Sequence, residues 1–116
     1  MGKDTRTMGS LNIDLSRKIG ETITEVELLL KSTAKSNFFP DQNRKTLNKK
    51  CLSIASYVRL YVGEEKKKLT KTQTADLQIF ENNAKTLASR VLVEKSAESL
   101  IPVVQALRDE YIDLFD

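Results

Sequence analysis

Two glutamates one helical turn apart, Glu21 and Glu25, are the nearest this sequence comes to a catalytic pair. Carboxylates at that spacing share one face of a helix. They could exchange protons with a substrate or hold an iron pair. A di-iron bundle also needs Glu-x-x-His motifs on two helices, and the chain has no histidine. That absence removes the commonest general base and any Cys/His zinc site. Glu21 and Glu25 therefore read as part of a solvated face. Cys51 is the single cysteine and has no partner for an internal disulfide. It lies on an apolar stripe and reads as a small buried core residue rather than a reactive thiol. Tyr57, Tyr61 and Tyr111 read as core-edge residues with their hydroxyls in water. No phosphate-binding loop, dinucleotide fingerprint, nucleophile elbow or zinc-protease motif occurs. The expectation is a protein that is not an enzyme and holds no cofactor or metal.

What remains is the chemistry of charge. The net charge of +3 hides a segregation. Residues 37–71 carry nine basic and three acidic groups, a net of +6, whereas residues 72–116 carry four basic and eight acidic, a net of −4. A positive middle and a negative final third follow. Arg44, Lys45, Lys49, Lys50, Arg59, Lys66, Lys67 and Lys68 supply most of the positive middle. Lys66–Lys68 alone would be an ordinary solvated turn. Taken with the basic side of the preceding helix they are the candidate docking residues, because positive patches steer association with acidic surfaces. Phosphate contacts from Lys and Arg also dominate nucleic-acid binding. The acidic final third and the lack of any recognised nucleic-acid-binding motif weigh against that use.

Those charges are positioned by helices. From Asp41 to Gly63, the residues Leu47, Cys51, Ile54, Val58 and Tyr61 repeat at spacings of four and three, the rhythm of bundle packing. Leu52, Ala55 and Val62 widen this stripe. Asp41 is the expected cap after Pro40, and Gly63 the expected terminator. Before it, Leu15, Ile19, Ile23, Val26 and Leu30 mark a first helix over about 12–35, capped by Ser10 or Asn12. Gly20 weakens the middle of that helix by about 1 kcal/mol against Ala. Phe38 and Phe39 interrupt the pattern and are expected to fold over one end of the core. Thr70 and Gln73 have capping-box spacing and open a third helix, carried by Leu77, Phe80, Ala84, Leu87 and Val91 to about residue 93. A fourth begins near Ser96, with Leu100, Val103, Val104, Leu107, Tyr111 and Leu114 on its stripe. Pro102 requires it to start near Ser99 or to kink. The acidic end, Asp109, Glu110, Asp113 and Asp116, opposes the helix dipole.

A chain of 116 residues with 40% hydrophobic and 30% charged residues has the composition of one globular domain, neither disordered nor membrane-spanning. Four Gly and two Pro leave little material for the turns of an all-β fold. The polar first ten residues do not form a secretory signal. The sequence thus predicts an all-α, up-and-down four-helix bundle over residues 12–116, preceded by a flexible segment over 1–11.

From Phe39 onward the order of features resembles the PsbQ family, the extrinsic lumenal subunits of photosystem II. Phe39-Pro40 stands where plant members have an aromatic-Pro start to the second helix. Ala55-Ser56-Tyr57-Val58-Arg59 stands in place of their basic ASYLR stretch, and Glu65-Lys66-Lys67-Lys68-Leu69 in place of their lysine-rich link. Ser96-Ala97-Glu98 and the stripe ending near Leu114 match the last helix. The aromatic is Phe rather than Trp and the Pro-rich N-terminal segment is missing, which suits a divergent algal-type member. The resemblance implies a non-catalytic subunit in the thylakoid lumen, peripheral to the membrane and not inserted. Its partners would be the photosystem II core and neighbouring extrinsic subunits, with no nucleic acid. It would help to retain calcium and chloride at the manganese cluster. The alternative is a helical adaptor or regulatory bundle with a different protein partner.

Overall fold

Asn12 opens the first helix by accepting a hydrogen bond from the Leu15 backbone N–H at 3.2 Å, which satisfies one of the orphan donors of a helix start. The computed structural model describes residues 12–115, so the flexible segment expected over 1–11, with Ser10, lies outside the described residues, as does Asp116. The elements are α1 (Ile13–Ala34), α2 (Asp41–Glu65), α3 (Lys71–Val93) and α4 (Ile101–Phe115), with a 3₁₀ turn at Glu98–Leu100 leading into α4. Contacts run around a ring, α1 to α2 to α3 to α4 and back to α1. This is the all-α, up-and-down four-helix bundle that the spacing predicts. It measures 47 × 22 × 21 Å.

The apolar stripes converge as their spacing requires. Ile19, Ile23, Val26 and Leu30 face Leu47, Ile54, Val58, Leu77, Phe80, Leu87, Val91, Leu100 and Val104, all fully buried. Each such side chain contributes roughly 1.5–3 kcal/mol of transfer free energy. Cys51 lies among them, fully buried. Leu52 does not widen the stripe: it is exposed, because five positions past Leu47 place it about 140° around the helix at 100° per residue. Leu69, in the link, and Val62 pack half-buried against the core.

Several helix ends differ from expectation. Pro40 occupies the cap position of α2, and Asp41 is its first helical residue with no capping side-chain bond at that end. Asp41 still sits where negative charge suits the helix dipole. Gly63 does not end α2, which continues to Glu65. Helical geometry suits glycine poorly but does not forbid it, and the stop is made by the Lys66–Lys68 turn, where the Lys68 N–H donates to the Glu65 carbonyl at 2.9 Å. Thr70 and Gln73 form the expected reciprocal capping box. Pro102 falls in the first turn of α4. The carbonyl of Glu98 there already accepts from the Ile101 N–H, so the missing proline N–H leaves no gap. Because α4 starts this late it has only 15 residues, against 22 to 25 for the others.

The aromatic residues divide between core and surface. Phe39 is buried, as expected of a residue closing the core, whereas Phe38 is 69% exposed. Tyr61 is fully buried, not a core-edge residue. Its ring meets Phe115 edge to face at 5.2 Å. Burial, with the Glu65 charge nearby, pushes its phenol pKa up. Tyr111 stacks on Phe115 at 5.2 Å, and its hydroxyl donates to the Ser16 carbonyl of α1 at 2.9 Å. Tyr57, half-buried beneath Lys18, and Tyr111, half-buried against the core, keep the expected position at the edge, although the Tyr111 hydroxyl is bonded to backbone.

Candidate docking surface

The basic residues of α2 separate by the side of the helix on which they lie. Arg44, Asn48 and Arg59 lie on the side toward α3. Arg44 donates to the Phe39 carbonyl at 3.3 Å and to the Val91 carbonyl at 3.0 Å, and its guanidinium covers the Phe39 ring at 4.0 Å. Val91 is in the last turn of α3, whose carbonyls lack helical partners. Arg44 therefore holds the end of α3, and its donors are turned inward. Lys50, on the side toward α1, pairs with Glu25 at 2.8 Å. That contact is part-exposed and of the kind that adds at most about 1 kcal/mol. It also accounts for one glutamate of the Glu21–Glu25 pair.

The remaining cations face outward in separate groups. Lys45 and Lys49 border a shallow hollow of about 300 Å³ whose far wall includes Leu92 of α3. About three turns past Lys49, Arg59 of α2 begins the border of a larger open groove of about 780 Å³, which Lys66 continues just past the helix end. Lys71 of α3 completes its rim, and Val62, Leu69 and Ala75 supply its apolar wall. Lys67 and Lys68 are exposed in the turn between the two helices, with Lys68 Nζ 4.0 Å from Glu65 Oε1. Lys71 and Lys85 belong to this face but were not singled out by the sequence, because they lie on the next helix. Alignment of α3 beside α2 brings them over.

One acid governs the seam. Glu81 of α3 is buried, its side chain 6% exposed, and binds Arg59 and Lys85 at 3.0 Å each. Burial alone would raise its pKa. Hydrogen bonds from Lys85 and Arg59 outweigh that and hold it below the usual glutamate range. Arg59 is thereby anchored at one end while remaining 68% exposed. Neither hollow on this face has an acidic residue in its lining. The neighbouring seam, between α3 and α4, reverses the sign: Asp76 of α3 and Glu110 and Asp113 of α4 line a hollow of about 280 Å³ with Ile79 and Leu114. The charge segregation along the chain thus becomes a difference between neighbouring seams, basic between α2 and α3 and acidic between α3 and α4.

Cys51 is chemically quiet. Burial pushes its thiol up to about 12, so at neutral pH the nucleophilic thiolate is scarcely populated. Among the described residues, no group of three or more His, Cys, Asp or Glu is placed to hold a metal ion, and no helix is long and apolar enough to cross a membrane. No family model, curated protein or solved structure matches this chain.

Proposed function

We propose that this chain is a non-catalytic helical bundle that docks on an acidic protein surface through the outward faces of α2 and α3. One observation carries the reading. Lys45, Lys49, Lys66 and Lys71 come from two helices onto one side of the molecule, and none of them forms an ion pair among the described residues. Cations in that state lose little internal stabilisation when they turn to a partner, and they speed encounter with a surface of opposite sign.

The specific form of this proposal is a PsbQ-like extrinsic subunit, bound at the lumenal side of photosystem II and stabilising the oxygen-evolving complex. The likeness of Phe39-Pro40, Ala55–Arg59 and Glu65–Leu69 to that family supports it. The test is rebinding to algal thylakoid membranes stripped of extrinsic proteins by high salt. Rebinding that weakens as salt rises, restores part of oxygen evolution and is lost on exchanging Lys45, Lys49, Lys66 and Lys71 for Glu is the expected result. Absence of rebinding would remove photosystem II as the partner and leave an adaptor for another acidic protein. Salt-insensitive binding that survives the fourfold exchange would remove the basic face itself.

A further inference from the structure

We infer that the groove at the turn end of α2 and α3 seats an amphipathic α-helix of a partner protein, one with carboxylates flanking an apolar strip. This deepens the docking proposal and rests on it. The groove spans Arg59 on α2 to Lys66 just past its end, and Lys71 to Gln78 on α3, seven residue steps on each side, or roughly 10 Å at the helical rise. That length accommodates about two turns of a third helix laid against two antiparallel ones, the ridge-in-groove seat that helices favour.

The chemistry selects the occupant. Val62 and Leu69 are half-buried, with exposed Arg59, Lys66 and Lys71 around them. An apolar strip recessed between cations accepts a convex ridge of leucine-like side chains with acids on either flank. A flat lipid surface would meet the lysines first and leave the apolar wall unfilled. The chain's own first eleven residues carry Lys3 and Arg6 against Asp4, the wrong sign for this seat. The buried Glu81 holds Arg59 at 3.0 Å, so one rim cation is positioned before any partner arrives, which lowers the ordering cost of binding.

The probe is a labelled peptide with Leu at i, i+3, i+4 and i+7 and Glu at the flanking positions, titrated by fluorescence anisotropy at about 0.15 M salt, where the Debye length is about 8 Å. The peptide is expected to gain helical circular dichroism on binding, and amide shifts of the protein are expected to move at 59–66 and 71–78. The double exchange Lys66→Glu with Lys71→Glu should weaken binding about tenfold or more, and Lys45→Glu with Lys49→Glu no more than about threefold, since charges beyond a Debye length are screened. If Lys45 and Lys49 prove the stronger pair, the basic face stands and this groove assignment falls. If neither pair matters, both fall. Binding without helix gain would replace the helix by an extended segment. Stronger binding to anionic phospholipid vesicles than to the peptide would also overturn the inference.

Discussion

At the scale of single residues, Gly20 shows how a local cost is offset by a tertiary contact. A glycine in mid-helix costs about 1 kcal/mol against alanine. A Cβ built at Gly20 would lie 2.5 Å from the Tyr111 hydroxyl oxygen and 2.8 Å from the ring carbon that bears it. Tyr111 cannot easily yield, because it stacks on Phe115 and donates to the Ser16 carbonyl. Gly20→Ala should therefore destabilise the protein, overpacking of about 1–3 kcal/mol exceeding the propensity gain. In a Tyr111→Ala background the same change should stabilise, and urea unfolding of the four proteins of that cycle reads the change of sign. Gly63 is the contrasting case. Nothing lies within 4 Å of a Cβ built there, and the residue is helical and exposed. Gly63→Ala should raise stability by about 0.5–1 kcal/mol, measurable as a higher melting temperature. The sequence reads Gly63 as a helix terminator and Gly20 as a mid-helix weak point; within the helices that form, what separates the two substitutions is a residue 91 positions away from Gly20.

At the scale of elements, the α2–α3 hairpin is where stability and binding divide between adjacent residues. The capping box of Thr70 and Gln73 starts α3; Thr70→Ala should cost about 1 kcal/mol in thermal unfolding. At the other end of α3, Asn48 donates to the Ala88 carbonyl at 2.9 Å and Arg44 to that of Val91. Arg44→Ala should cost about 1–3 kcal/mol by leaving part-buried carbonyls unpaired and removing the stack on Phe39. Lys45→Ala, one residue on, should change stability by no more than about 0.5 kcal/mol and should weaken partner binding instead. Parallel denaturation and binding measurements on these two variants test the separation of roles. In sequence both are basic residues near the start of one helix. Their difference is the 100° step between neighbours, which turns one toward α3 and the other to solvent.

At the scale of the molecule, acids tie helices together around the ring. Glu27 of α1 receives Arg108 Nε of α4 at 2.9 Å and pairs with Lys31 at 3.2 Å. Burial would raise its pKa, but Lys31 and Arg108 hold it below the ordinary glutamate value; Glu81 behaves likewise between α2 and α3. A carboxyl whose pKa is lower in the folded state contributes stability above its unfolded value, about 4.3, and loses it as pH falls through the folded value. The fold should thus weaken as pH drops below about 4.3, with a smaller acid-dependent loss in Glu27→Gln and Glu81→Gln than in the unaltered protein. Denaturant midpoints between about pH 7 and pH 3 check this.

The sequence by itself determined the four helices, their order and most of their buried apolar residues, Ala88 and Phe115 excepted. Spacings of three and four bring side chains to one side whatever the neighbours are, and the Thr70 box and Asn12 cap are local bonds between residues three apart. It also determined that positive charge gathers in the middle third. Only the tertiary structure decided which cations are available. Arg44 and Lys50 are turned to α3 and α1, Arg59 is anchored on a buried acid, and Lys71 joins from another helix. It likewise decided the role of Gly20 and the burial of Tyr61, because both depend on residues of α4 facing them across the core. Periodicity reports which side of a helix is apolar; it carries no information about which neighbour that side meets, nor about which long polar side chains find partners across the seam.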